Sequence, residues 1–253
     1  MLELMSTADG SNTIYNSVVG ENYHSRNGAL QESRHVFVNS GLCYFLEGTF
    51  GRKSSLDTSE VKVSLPTGGG DPIVIGLEGA ETVSILEVGF GTGLNFLLSA
   101  DLCAEKNISL EYTGIEAYPL SEELTAQTGY DQYVSACTWQ SFIDNYEQSL
   151  LSPIKIHPHC KLQIAHCKLS DFQSEKQYDI IYYDAFAAAR QPEMWDEAAI
   201  AHTIRFLKPG GVFVTYAITG NLKRALKAFG CTIEKAPGAA GKREMLRAVK
   251  IAS

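Results

Sequence analysis

Along this chain, short apolar runs alternate with stretches in which apolar residues recur at helical spacing. Residues 84–88 carry Ile85, Leu86 and Val88 and stop at Gly89, Gly91 and Gly93; Leu94, Leu97, Leu98 and Leu102 follow. That order predicts a buried strand, a tight turn and a helix. Strands are also predicted over 109–116, 161–165, 178–184 and 212–216. Residues 119–150 read as mainly helical, with loops near Gly129 and Trp139. Helices are predicted over 192–207 and 221–229, with a turn at 208–211. Strands alternating with helices imply a doubly wound α/β sheet. The final β runs, 231–235 and 244–250, have no helix between them and should pair antiparallel.

The N-terminal third does not follow this rhythm. Residues 21–38 are polar, with His24, Arg26, Glu32, Arg34 and His35 close together before an apolar patch. They suit either a solvated arm or a lid that completes a pocket. Residues 49–82 read as an insertion: two short β runs flank a turn with three consecutive glycines, Gly68 to Gly70, as in a hairpin. The predicted organisation is therefore an arm with an inserted β-hairpin over 1–82 and a core over 83–253.

The glycine turn narrows the chemistry. Glycine permits positive φ and close approach of a ligand, and the helix that follows points free N–H groups into the gap. A dinucleotide turn would place its third glycine at position 94, which is leucine. Gly-x-Gly-x-Gly after Glu87 is instead the pattern of S-adenosylmethionine (AdoMet) methyltransferases, and assigns Glu87, Gly89, Phe90, Gly91, Gly93 and Asn95 to the cofactor. Glu116 closes the next strand, where a carboxylate can accept both ribose hydroxyls; the alternative is a solvent-facing loop acid. Asp184 closes a later strand among aromatics and alanines. It could bind a substrate amine or take a proton from it, or cap a helix. His166 and Cys167 fall at a strand end that suits the adenine. The spacing of His157, His159, Cys160, His166 and Cys167 fits no common zinc pattern, so no metal is expected.

Several motifs together resemble the MnmD/MnmC tRNA methyltransferase family. They are Gly89-Phe-Gly-Thr-Gly-Leu-Asn95, Asp184-Ala-Phe-Ala, Gln191-Pro-Glu-Met-Trp195, Lys208-Pro-Gly-Gly211 and Gly241-Lys-Arg-Glu-Met-Leu246, with the segment from Tyr23 to Phe37. The resemblance implies a Rossmann-like AdoMet-dependent methyltransferase sheet. It implies methylation of the 5-aminomethyl group of the wobble uridine in the tRNA anticodon, giving 5-methylaminomethyl-(2-thio)uridine. It also implies Asp184 as the catalytic carboxylate, and Tyr23, Ser25, Glu32, Arg34 and Phe186 around the substrate. Where relatives carry Gly-Asp, this chain has Cys167-Lys168, which moves the adenine contact to Ser170-Asp171 or to backbone groups. Because the chain ends at Ser253, the resemblance is to the stand-alone form, and no fused flavin oxidase domain is expected. Two other readings remain: a methyltransferase acting on a small-molecule or protein amine, and a non-catalytic partner protein with this fold.

Charge refines the picture. The 253-residue chain has a formal net charge of −8, unlike a general nucleic-acid coat. From Asn221 on, eight Lys/Arg face two acids, a net +6, which leaves −14 on the residues before it. A localised phosphate-binding face would have this form, and so would a solvated helix and strand edge. On the first reading Lys223, Arg224, Lys242 and Arg243 contact tRNA. With no apolar run long enough to span a membrane, no signal peptide and six scattered cysteines, a cytoplasmic protein without a membrane partner is expected.

Overall fold

A computed structural model describes residues 1–49, 81–239 and 241–252. The hairpin expected over 49–82 lies almost wholly outside the described residues. An N-terminal sheet comes first, of β1 (Leu2–Ser6), β2 (Asn12–Asn16) and β3 (Glu21–Asn22), antiparallel throughout. Sequence patterning missed it, because β1 is exposed at every position and shows no alternation. A continuous helical stretch follows: α1 (Ala29–Glu32), a π-helical run Ser33–Cys43, and α2 (Tyr44–Thr49). The N-terminal sheet caps it. Asp9 Oδ2 accepts the Gln31 N–H (2.9 Å) and Ser11 Oγ accepts those of Ala29 and Leu30 (both 3.1 Å).

The core then runs β4 (Thr82–Val88), α3 (Leu94–Glu105), β5 (Ser109–Glu116), α4 (Glu122–Ala126), α5 (Ala136–Asp144), α6 (Tyr146–Ser149), β6 (Ile154–His157) and β7 (Cys160–His166). It continues with β8 (Tyr178–Tyr183), α7 (Glu197–Ile204), β9 (Leu207–Thr215), α8 (Gly220–Ala228), β10 (Cys231–Pro237) and β11 (Glu244–Lys250). One eight-stranded sheet has the order β10-β11-β9-β8-β4-β5-β7-β6. Strands β9, β8, β4, β5 and β7 are parallel; β11 is antiparallel to β9 and β10, and β6 to β7. The expected antiparallel final pair is present.

Three expectations change. Trp139 lies inside α5, not in a loop; Ser135 Oγ caps that helix by accepting the Thr138 N–H. The helix over 192–207 is a 3₁₀ turn at Pro192–Trp195 followed by α7, restarted where the Asp196 side chain caps the Ala199 N–H. Residues 208–211 belong to β9, as an irregularity that shifts its register on β8.

Two apolar layers cover the sheet. On one face Val83 and Ile85 of β4 pack with α3, α5 and the helical stretch through Val36, Phe37 and Leu42. On the other, Leu86 and Val88 pack with α7 and α8. Residues 29–46, assigned to the arm, thus share the core of the sheet. β4 is buried on both faces, which is why it reads as a near-continuous apolar run. Its buried polar exceptions are Ser84, whose hydroxyl bonds Asp179, and Glu87.

Candidate active site

From β4 the chain winds outward through β5 and β7, then returns to β8 on the other side of β4. The crevice at the carboxyl ends of β4 and β8 is therefore the switch point where such sheets bind ligands. Three acids converge there. Glu87 is the next-to-last residue of β4, Glu116 ends β5, and Asp184 follows β8, its N–H bonded to the Val88 carbonyl (2.9 Å).

Glu87 and Asp184 are tied through one amide. Asn95 Nδ2 donates to Glu87 Oε1 (2.7 Å) and to Asp184 Oδ2 (2.9 Å), while the Tyr112 hydroxyl donates to Glu87 Oε2 (2.8 Å). Glu87 is fully buried. Burial and the neighbouring Asp184 charge hold its pKa well above the usual carboxylate range. Asp184 opens to the cleft but is ringed by protein. Its pKa is raised to about 8, first by burial and then by the charge of Glu32, against the opposing pull of Asn95 and Lys242.

The arm closes over this point, as a lid does. Tyr23, His24, Ser25, Arg26 and Glu32 line a cleft of about 340 Å³ with Asp184, Ala185, Phe186, Tyr216 and Lys242. Tyr23 packs edge-on against Phe186 at 5.0 Å. Glu21 Oε2 accepts the Ala187 N–H (3.0 Å), fastening the arm to the Asp184 loop. Burial lowers the pKa of His24 to about 4, so its ring is neutral at ordinary pH. Glu32 is 6% exposed and accepts the Ser25 N–H (2.8 Å) and the Lys242 ammonium (2.6 Å).

The glycine turn is shaped by this packing. Gly89, at φ 86°, lets the chain at Asp184 pass close by: a Cβ there would stand 2.6 Å from the Asp184 carbonyl oxygen. A Cβ on Gly91 (φ 54°) would meet the Tyr23 ring at 2.8 Å. Gly93 is the left-handed residue from which α3 starts. Glu116 takes the Gly91 N–H on Oε2 and the Tyr118 N–H on Oε1, each at 3.0 Å. Those bonds orient the carboxylate and leave lone pairs for a diol. A tight turn, a helix start and an oriented acceptor suit a nucleoside cofactor.

Some residues assigned to the cofactor do other work. The Phe90 side chain points into the core, against Phe96, Tyr112 and Phe142, so only its backbone can serve a ligand. Glu87 and Asn95 are enclosed and act beneath the site. His166 pairs across the sheet with Glu116 and is exposed, whereas Cys167 is half-buried against the apolar layer. Asp171 lies near enough to help burial raise the Cys167 thiol pKa. Arg34 is exposed and does not line the cleft. No group of three or more metal-ligating side chains occurs among the described residues.

The basic C-terminus is more engaged than its charge count suggests. Lys242 bonds Glu32, Lys235 pairs with Glu244 (3.4 Å) and Arg247 with Glu234 (2.7 Å), and Lys250 donates to the carbonyls of Ile204 and Leu207. Lys223, Arg224, Lys227 and Arg243 have no ion pair among the described residues. The quartet assigned to tRNA therefore splits: three open cations, and Lys242 inside the cleft. Sequence reading missed Glu21, Tyr112 and Tyr216 as site residues. Tyr216, just past β9, was within reach of the strand-end rule applied to Asp184.

Comparison with known proteins agrees with this geometry. The family model described as S-adenosyl-L-methionine-dependent methyltransferase matches residues 135–251. The chain is 32% identical over 176 residues to the tRNA 5-methylaminomethyl-2-thiouridine biosynthesis bifunctional protein MnmC of Magnetococcus marinus, covering 66% of this chain and 26% of that protein. The protein of the same name from Ectopseudomonas mendocina is 28% identical, covering 90% and 32%. The chain thus spans about a quarter to a third of the length of these relatives. The crystal structure of MnmC2 from Aquifex aeolicus superposes with a TM-score of 0.68 at 18% identity, covering 100% of this chain and 71% of that one. No described helix is long and apolar enough to cross a membrane. Its glycine turn, oriented acid and cleft carboxylate, together with these likenesses, mark this chain as an AdoMet-dependent methyltransferase-domain protein similar to MnmC.

Proposed function

We propose that this enzyme N-methylates the 5-aminomethyl group of the wobble uridine (position 34) in tRNA, yielding 5-methylaminomethyl-(2-thio)uridine. The observation that carries the reading is Asp184, a carboxylate of raised pKa beneath an aromatic, acid-lined cleft. An alkyl amine arrives as an ammonium and must lose a proton before it can act as a nucleophile. A carboxylate with a pKa of about 8 is far better matched to that proton than an ordinary aspartate. The relatives' names, which specify 5-methylaminomethyl-2-thiouridine biosynthesis in tRNA, support the same substrate.

AdoMet supplies an electrophilic methyl group on sulfonium. Gly89, Gly91 and Gly93 would give it a tight turn, Glu116 would take the ribose hydroxyls, and Asp171 would be the adenine acceptor in place of the position held by Lys168. Tyr23 and Phe186 wall the base, and Asp184 takes the amine proton. Acceleration then comes mainly from alignment and exclusion of water. The N-terminal sheet and arm act as the lid, and Lys223, Arg224 and Arg243 contact tRNA phosphates.

The test is nucleoside analysis of tRNA carrying 5-aminomethyl-uridine after incubation with the protein and AdoMet. Conversion to the 5-methylaminomethyl nucleoside is expected. No conversion, with methylation of a small-molecule or protein amine instead, would replace the tRNA reading.

A further inference from the structure

Lys242 occupies an unusual place. It lies in the loop between β10 and β11, and its ammonium reaches into the cleft that holds Asp184. There it bonds Glu32 Oε1 at 2.6 Å and sits 3.8 Å from the centre of the Tyr216 ring. Glu32 is fixed on its other oxygen by the Ser25 N–H, and the Tyr216 hydroxyl donates to the Ala185 carbonyl (2.8 Å). The acceptor and the aromatic face are both built and held from behind. A buried carboxylate, an aromatic face and a second carboxylate at Asp184 make a receptor for an alkyl ammonium. In this structure its occupant is the chain's own.

We propose that Glu32, Tyr216 and Asp184 form the subsite for the substrate's primary ammonium, and that Lys242 fills it until the substrate displaces it. The proposal rests on the amine-methylation reading and names the group that the cleft selects. A primary alkyl ammonium matches the lysine head in charge and in its three N–H donors. An incoming alcohol or phosphate could not replace the cation that Glu32 needs.

Exchange explains how such an acidic cleft folds without a ligand. Leaving Glu32 buried with no cation is costly, and Lys242 prevents that. Displacement trades one cation for another, so the net charge of the cleft stays constant. The lysine head, whose side chain is already 34% exposed, regains its hydration in solvent. Selectivity follows, because only a ligand bringing its own cation can release Lys242. After transfer, a methylated secondary ammonium carries two N–H donors against the lysine's three, so the return of Lys242 favours product release.

The experiment uses the full chain and compares wild type with Lys242→Met, which keeps side-chain length over the Tyr216 ring, and Lys242→Met/Glu32→Gln. KM and kcat are measured on tRNA carrying 5-aminomethyl-uridine. Removing the internal competitor should lower KM about three- to tenfold in Lys242→Met. The double variant, which loses the acceptor as well, should raise KM above wild type. A higher or unchanged KM in Lys242→Met would overturn the proposal, since that is the behaviour of a phosphate contact or an inert brace. A second measurement does not depend on methylation. In ¹H–¹⁵N spectra of the lysine ammonium groups, the Lys242 signal, assigned by its loss in Lys242→Met, should be ring-shifted and slow to exchange. Methylammonium should move it toward a free-lysine position, while uridine leaves it in place. If wild type methylates no tRNA but methylammonium releases Lys242, the tRNA reading fails and the subsite stands. A Lys242 signal that ignores methylammonium would sink the subsite whatever the activity. A Lys242→Met protein that failed to fold would leave this spectral test on wild type intact, with the Lys242 signal then assigned from Lys242→Arg.

Discussion

Asp184→Asn separates charge from shape, because asparagine mimics the protonated acid. Asparagine retains an oxygen that can accept the Asn95 amide, which donates to Asp184 at 2.9 Å. Asp184 has a pKa of about 8 in the fold against 3.8 for an ordinary aspartate. The folded protein therefore keeps a proton that the unfolded chain has already released between those values. Stability is fully present below about pH 4, falls as pH rises, and levels off above pH 8. Linkage sets an upper bound of roughly 6 kcal/mol on this loss. Water in the cleft screens part of it, and about 2 kcal/mol is expected. Urea unfolding of both proteins should show similar stability near pH 4 and an advantage for Asp184→Asn that grows to about 2 kcal/mol at pH 9. The same residue sets the rate: kcat/KM of wild type should rise about tenfold from pH 7 to pH 9, with an apparent pKa near 8. The variant should lose about 10²- to 10⁴-fold in rate while binding AdoMet normally. An advantage in stability that does not change with pH would refute the buried-acid argument. Near-wild-type turnover, or equal loss of AdoMet binding, would refute the catalytic role.

Other perturbations test the surroundings. Glu32→Gln removes a charge that raises the Asp184 pKa, so the rising limb of the pH–rate profile should move to lower pH; an upward move would contradict the electrostatics. Asn95→Leu removes the donor shared by both acids and should move that limb to higher pH, with AdoMet affinity less affected in calorimetric titration. Gly91→Val forces a side chain onto a φ of 54° and against Tyr23, and should abolish AdoMet binding in a folded protein; unchanged affinity would mean that the turn does not hold the cofactor. Charge removal at Lys223, Arg224 and Arg243 together should weaken tRNA binding and flatten its salt dependence in filter binding, sparing AdoMet affinity. An unchanged salt slope would mark them as solvated surface.

The sequence by itself determined the central layer. Parallel strands buried on both faces must be apolar throughout, and a strand–turn–helix at a cofactor must be rich in glycine. Both constraints act between near neighbours, so 84–98 could be read directly, and Glu87, Glu116 and Asp184 stood out as acids closing apolar runs. The MnmC-type resemblance was visible for the same reason, in contiguous motifs. What only the tertiary structure decided depends on contacts distant along the chain. Phe90 turns into the core because α5 brings Phe142 to it. Lys242 counts as positive surface charge in the sequence, yet it meets Glu32 from a segment more than two hundred residues away and becomes part of the cleft. The N-terminal sheet left no hydrophobic alternation, since its edge strand is exposed, yet it caps the helix whose Glu32 anchors that pair. Charge and periodicity belong to local sequence, but the partner of a charge is chosen by the fold.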